Sequence, residues 1–183
     1  MFRGLRARVS LWALAGLAVI SLAGCASGRY VIIDAPTVPL KSFSVLEIKD
    51  CTSNPQEENA LDLAKGFGDQ MMQKLVDYNK KNTKAPLFAT VTRSTDNADG
   101  VLVMQSVLQS YEKGSRAARY IIGFGAGKAS CTVQCVFTDK RSGNQILKAN
   151  FEGELSMGIA GGSAKQAAGK VYDKILEYLK KNY

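Results

Sequence analysis

Two long segments of the chain repeat apolar residues at steps of three and four, the spacing of an amphipathic helix. The first runs from about Asn54 to Asn79: Asn54 is a candidate cap, Pro55 suits the first helical position, and Glu57 lies three residues after the cap. Its apolar stripe is wide enough to pack on a sheet and consists of Leu61, Ala64, Phe67, Gly68, Met71, Met72, Leu75 and Tyr78.

A second helix closes the chain. Ser163 and Gln166 form a predicted capping box at its start, and Lys180 and Lys181 place positive charge at its end. Its apolar stripe consists of Ala164, Ala168, Val171, Ile175, Leu176 and Leu179.

The remaining apolar residues form short runs rich in Val, Ile and Phe, bounded by turn-forming residues, which is typical of strands. Predicted strands cover residues 42–50, 86–93, 101–111, 129–140 and 145–155. The order β-α-β-β-β-β-α predicts one α+β domain over residues 42–183. We expect a two-layer sandwich in which both helices cover one face of a mainly antiparallel sheet of about four to five strands.

The N-terminus has the order of a secretory signal. Arg3, Arg6 and Arg8 precede an apolar run from Leu11 to Leu22, and small residues follow. The run is too short to span a bilayer, which takes roughly 20 apolar residues. We therefore predict a signal peptide at residues 1–24, and an extended tether at residues 25–41 with a possible short strand at Tyr30 to Ile33.

The residues Leu22-Ala23-Gly24-Cys25 resemble the lipobox of bacterial lipoproteins, in which a diacylglycerol is attached to the cysteine thiol before cleavage. The resemblance implies that Cys25 is the first mature residue and carries a diacylglycerol and an N-acyl lipid. An ordinary cleaved signal followed by a chance cysteine is the alternative. No other cofactor is predicted.

Composition narrows the class of partner only slightly. Removing residues 1–24 leaves 159 residues, enough for one domain, with a net charge of +5. This modest and dispersed charge favours anionic surfaces such as lipid headgroups, and we expect no nucleic-acid partner.

Three cysteines remain after Cys25 is assigned to the anchor. Cys131 and Cys135 lie in one predicted strand, about 13 Å apart, too far for a disulfide. Cys51 can pair with one of them if its strand is adjacent; otherwise all three are buried thiols. With no histidine in the chain and no C-x-x-C pair, we expect no metal site.

The segment 114–128 is unusually rich in glycine, yet it matches neither of the common nucleotide-binding motifs. Ala129 follows Gly127-Lys128 where a P-loop has Ser or Thr, and Lys128 stands where a dinucleotide fingerprint has its third glycine. One interpretation is a structural hairpin, because alternate glycines let a backbone bend. The other is an apolar loop with basic flanks that binds a partner through Arg116, Arg119, Tyr120, Phe124 and Lys128.

The lipobox, the run Gly114-Ser115-Arg116-Ala117-Ala118-Arg119, and the run from Gly123 to Ala129 together resemble a bacterial family of lipoproteins catalogued as a domain of unknown function. The resemblance extends through Thr138 to Gly143 and covers roughly residues 42–179. It implies a lipoprotein that faces the periplasm. Because Ala26, rather than aspartate, follows Cys25, similarity to lipoprotein sorting in Gram-negative bacteria implies the outer membrane.

These observations predict a non-catalytic accessory module that binds another envelope protein, with no prediction of oligomeric state. An envelope enzyme is a weaker alternative, because the chain has no histidine to act as base and no Gly-x-Ser-x-Gly elbow. Glu152 and Glu154 are same-face neighbours on a strand, a pattern more typical of solvated than of catalytic carboxylates. A third hypothesis is a carrier that holds a lipid or small apolar ligand between the helices and the sheet.

Overall fold

The computed structural model describes residues 26–113, 129–155 and 164–183. Six strands and two α-helices form the fold, with a short 3-10 turn at Leu40–Ser42. In chain order the elements are β1 (Ala26–Asp34), β2 (Val45–Ser53), α1 (Glu58–Lys81), β3 (Thr90–Thr92), β4 (Val101–Glu112), β5 (Ala129–Asp139), β6 (Gln145–Leu155) and α2 (Ala164–Asn182).

The strands form one mixed sheet in the order β1-β6-β5-β4-β2-β3. Along β1, β6, β5 and β4 each strand is antiparallel to its neighbour, whereas β2 runs parallel to both β4 and β3. Helix α1 packs on β2, β3 and β4, and α2 packs on β1, β5 and β6. The predicted α+β sandwich is therefore confirmed, with a sheet of six strands that is not closed into a barrel.

A single core lies between the sheet and the helices. Alternate residues of β5 are fully buried on the helix side, as the strand pattern predicted for Cys131, Val133 and Cys135. Phe67 and Met71 of α1 and Val171 and Ile175 of α2 cover them without exposed surface. Burying a side chain of this size contributes roughly 1.5–3 kcal/mol.

The segment predicted as a tether is folded in part, because β1 occupies its first residues. Ala26 pairs with Leu155 and Val31 with Asn150, so β1 forms one edge of the sheet. On the core side, the Tyr30 ring lies 5.9 Å from that of Phe151. The glycine and proline content that suggested a tether did not reveal this pairing, because the pairing depends on β6, more than a hundred residues away.

Helix α1 begins at Glu58, four residues after the predicted cap. The Asn54 amide instead donates to the side chain of Gln109 on β4 at 2.8 Å, and the Ser53 hydroxyl donates to the Pro55 carbonyl at 2.6 Å. Residues 54–57 therefore form a turn before the helix. The later start also corrects the apolar stripe, because Leu61 is 44% exposed and Ala60 is buried in its place.

The predicted strand at residues 86–93 is mostly a loop, with only Thr90–Thr92 in β3. Leu87 and Phe88 are nevertheless buried. The Asn79 side chain accepts from the backbone N–H of Leu87 and donates to the carbonyl of Phe88, both at 3.0 Å. The predicted capping residue Ser163 lies outside the described residues.

Candidate functional site

One end of the molecule brings together the features that bear on function. The first residues of β1 and β5, Ala26 and Ala129, both pair with Leu155, the last residue of β6. Strands β2 and β4 also end there, and both helices begin there. We call this the cleft end, and the opposite end, with the turn 140–144, the far end.

The cleft itself separates the first halves of α1 and α2 and has a volume of about 470 Å³. Its apolar lining comes from Leu63, Ala168 and the rings of Tyr111 and Tyr172. Polar groups border it as well, contributed by Asn59, Asp62, Gln70 and Lys165. Pockets of this size that combine apolar walls with a few polar groups are typical of small-molecule sites.

Two tyrosines supply hydroxyl groups to the cleft. Burial raises the pKa of Tyr172 and of Tyr111, so both remain protonated well into the alkaline range and can donate a hydrogen bond. Neither hydroxyl is hydrogen-bonded to another residue in the part of the chain that the structure describes. The Tyr172 ring is held by Phe67, with ring centroids 4.9 Å apart.

Glycines widen the same cleft. A Cβ atom built at Gly66 of α1 or Gly169 of α2 would have no heavy atom within 4 Å. Glycine in a helix costs roughly 0.5–1 kcal/mol relative to alanine, and neither position needs glycine to avoid a clash. The two glycines therefore leave open space at the cleft at some cost to the helices.

The residues predicted to bind a partner, Arg116, Arg119, Tyr120, Phe124 and Lys128, lie outside the described residues. The described residues on either side of them, Lys113 and Ala129, lie at the cleft end. Cys25 also lies outside the described residues, directly before the first residue of β1. The chain therefore leads to the predicted anchor position and to the predicted contact segment from the same end of the fold.

Glu152, a candidate under the enzyme alternative, lies on the sheet face opposite the helices. The Nε of Arg29 donates to its carboxylate at 2.6 Å, across the β1–β6 pair. Strand pairing thus places Glu152 in a surface ion pair, remote from the cleft between the helices.

The three cysteines of the domain are buried, free thiols. Cys51 and Cys135 both neighbour Ser106, so β4 separates their strands and a disulfide between them is excluded in this register. The Ser106 hydroxyl and the Cys135 thiol are 3.8 Å apart. Among residues 26–113, 129–155 and 164–183, no group of three or more metal-ligating side chains is placed to hold an ion.

One buried charge was missed by sequence analysis. Glu47 has no exposed surface, and its carboxylate accepts from the ammonium groups of Lys140, at 2.6 Å, and Lys49. Burial raises the pKa of Glu47, but the two ammonium groups outweigh that effect and lower it overall. The alternation of Glu47 and Lys49 on β2 hinted at the pair, whereas the approach of Lys140 follows from the fold.

In the described parts of the chain, neither helix has an apolar stretch long enough to cross a bilayer.

Comparison with known proteins gives one family and a set of similar folds. The family model "Domain of unknown function (DUF4410)" matches residues 38–162. No curated protein matches the chain.

Among solved structures, the chain resembles the PelC dodecamer from Paraburkholderia phytofirmans, with a TM-score of 0.52 and 11% identity over 84% of this chain and 97% of that one. A single-substitution variant of the same PelC gives 0.51 and 10% with the same coverage. Lipoprotein GNA1162 from Neisseria meningitidis gives 0.40 and 7% over 75% of this chain and 99% of that one, a score too low to support a conclusion. The PelC likeness establishes a shared fold only.

Proposed function

Because the chain belongs to the DUF4410 family of domains of unknown function, no activity passes to it from a relative, and we propose a role from its own structure. The protein is a lipid-anchored, non-catalytic accessory module of the bacterial envelope that binds another envelope protein. Cys25 carries the anchor in the outer membrane, and the domain faces the periplasm.

One observation carries this proposal: the anchor position and the predicted contact segment join the fold at the same end. Strand β1 begins at Ala26, so no tether separates a lipid on Cys25 from the folded domain. Lys113 and Ala129, which flank the predicted contact segment, lie at that end too. A lipid on Cys25 would therefore keep this segment close to the membrane, where partners are confined to the same surface.

In-cell photocrosslinking tests this role. A photoreactive residue replaces Tyr120 or Phe124, the adducts are identified by mass spectrometry, and the same probes are placed in a Cys25→Ala background. A control probe replaces Arg141, an exposed residue in the turn at the far end. We expect one dominant protein adduct from the first two probes, its loss with Cys25→Ala, and its absence from the control. Identical adducts from all three probes, or no specific adduct, would contradict the proposal.

A second candidate function is a carrier for a lipid or small apolar ligand. The observation that favours it is the cleft of about 470 Å³ between the helices, with its apolar lining and two tyrosine hydroxyls that have no described partner. Mass spectrometry of the native protein tests it, because a carrier should retain ligand through purification.

A further inference from the structure

The cleft offers two kinds of surface to a ligand. Leu63, Ala168 and the rings of Tyr111 and Tyr172 can contact an apolar body, while the two hydroxyls and the Lys165 ammonium can donate to oxygen atoms. Among the described residues of the lining, Asp62 is the one acidic group and comes from α1, whereas Lys165 comes from α2. An anionic group therefore fits on the α2 side, beside Lys165.

The open space and volume of the cleft suit a narrow ligand. Gly66 and Gly169, one from each helix, both leave open space where a side chain would otherwise project. The volume of about 470 Å³ lies toward the lower part of the range for small-molecule sites, roughly 300–1,000 Å³. One acyl chain suits this space better than the two chains and large headgroup of an intact phospholipid.

The position of the cleft indicates where such a ligand comes from. Both helices begin, and β4 ends, at the same end of the fold as Ala26, the residue after the proposed anchor. This step rests on the proposed function, because it is the lipid on Cys25 that holds the cleft end at the bilayer. Single-chain amphiphiles in the membrane are then the apolar ligands nearest to the cleft.

We infer that the cleft binds a single-chain anionic amphiphile drawn from the membrane, with its acyl chain between α1 and α2 and its anionic group beside Lys165. Fatty acids and anionic lysophospholipids share this chemistry.

Photolabelling with a lipid probe tests the inference on the lipidated, full mature protein. The probe is lysophosphatidylglycerol with a photoreactive acyl chain, supplied in phosphatidylcholine nanodiscs and, in parallel, in solution below its critical micelle concentration. Adducts are mapped by peptide mass spectrometry. We expect them on the peptides that contain Leu63, Tyr111 and Tyr172, and we expect Gly169→Leu to reduce this labelling at least tenfold.

Matched variants separate binding from unfolding. Lys181→Leu adds the same side chain at an exposed position near the other end of α2 and should leave labelling unchanged. Circular dichroism checks that Gly169→Leu folds, and Gly66→Leu blocks the cleft from α1 as an independent second variant. Equal labelling of wild type and both glycine variants, or adducts confined to other surfaces, would overturn the inference.

The headgroup is tested separately. A photoreactive alcohol of the same chain length lacks the anionic group, and we expect it to label the cleft at least fivefold less than the anionic probe. Lys165→Gln should remove that difference, and equal labelling of wild type by both probes would overturn the anionic assignment. Recovery of the protein with the nanodiscs measures membrane anchoring alone. If the protein were labelled in the cleft in solution but not recovered with the nanodiscs, the proposed membrane-anchored function would be refuted. The assignment of the cleft as a binding site would still stand.

Discussion

At the residue scale, the cysteines of the domain illustrate how burial controls reactivity. Burial raises the pKa of Cys51 to about 11 and that of Cys131 to about 12, and it raises the pKa of fully buried Cys135 as well. We expect all three thiols to react with iodoacetamide at pH 8 about a hundredfold or more slower in the native protein than in urea. Peptide mass spectrometry after timed alkylation measures the rates.

The same burial has a consequence for stability. Above about pH 9 the unfolded chain releases thiol protons that the folded chain retains, so these groups lower the free energy of unfolding as pH rises.

The alkylation experiment also tests the proposed anchor, because a lipidated Cys25 has no free thiol. A fast-reacting Cys25 in the native mature protein would contradict lipidation.

The buried Glu47 carboxylate gives a prediction of opposite sign. Its pKa is lowered in the folded state by Lys140 and Lys49, so its contribution to stability is present above the unfolded pKa of about 4.3 and is lost as pH falls through the folded value. We expect Glu47→Gln to lower the free energy of unfolding at pH 7 by about 2 kcal/mol. Urea denaturation between pH 3 and pH 7 checks this.

In Glu47→Gln the slope of stability against pH below pH 4.5 should be shallower than in wild type. Asp99→Asn is a suitable control, because Asp99 pairs with Arg141 at 3.0 Å on the exposed surface. Surface ion pairs of this kind contribute about 0–1 kcal/mol. If Glu47→Gln and Asp99→Asn changed the free energy of unfolding and its pH dependence equally, the buried Glu47 carboxylate would contribute no more to stability than a surface ion pair.

At the scale of elements, the packing of α2 on β6 depends on Gly153. A Cβ atom there would overlap the carbonyl oxygen of Ala167 in the α2 backbone, which cannot move without shifting the helix. We expect Gly153→Ala to lower the free energy of unfolding by about 3 kcal/mol or more. Gly66→Ala is the matched control, since its added methyl meets open space, and it should raise stability by roughly 0.5–1 kcal/mol. Thermal unfolding of both variants measures the difference.

The buried loop before β3 depends on one side chain from α1. Asn79→Ala removes the bonds to the backbone of Leu87 and Phe88 and leaves those groups without a partner in a partly buried site. We expect a loss of about 2 kcal/mol in urea denaturation. Asn82→Ala makes the same change three residues later, where the side chain bonds only to the exposed Tyr78 carbonyl, and should cost less than half as much. Equal costs would show that the loop is held by Leu87 and Phe88 packing alone.

The spacing of apolar residues predicted those elements in which buried side chains recur at regular intervals. Strands β4, β5 and β6 and the body of α1 lie within a few residues of their predicted bounds, because core-facing side chains recur regularly along them. The start of α1 was wrong, since Asn54 has the chemistry of a cap but is drawn to Gln109 on β4. Strand β1 was predicted only at Tyr30 to Ile33, and its full length of Ala26–Asp34 was missed because its pairing with β6 is a contact between distant parts of the chain.

The candidate site was less predictable than the fold. The cleft depends on the separation between the first turns of α1 and α2, which the sequence does not show. In the sequence, Gly66 and Gly169 are only residues of low helix propensity within two predicted helices. Tyr111 and Tyr172 come to line the same cleft only through the register of β4 and the placement of α2. Sequence analysis led to the hypothesis of a ligand carrier, but it did not identify the residues that would line the binding cleft.

At the scale of the whole molecule, β1 changes what a lipid on Cys25 would do. A free tether of 16 residues has a root-mean-square reach of roughly 20–24 Å and would let the domain tumble. With β1 starting at Ala26, a lipid on Cys25 would instead join the sheet directly. On the proposed function, the cleft end would therefore face the bilayer, and the far end would lie about 35 Å away, the length of the 11-residue strand β5.

Depth-dependent quenching tests this orientation. A fluorophore on Lys113→Cys reports on the cleft end and one on Asn144→Cys on the far end, and the buried native thiols should not compete for the label. In liposomes with nitroxide-labelled headgroups, we expect strong quenching at position 113 and little at position 144. Inserting a 16-residue Gly/Ser linker between Cys25 and Ala26 should reduce quenching at 113 by freeing the domain. If the linker left both signals unchanged, the strand would not be orienting the domain, and a cleft supplied from the membrane would lose its physical basis.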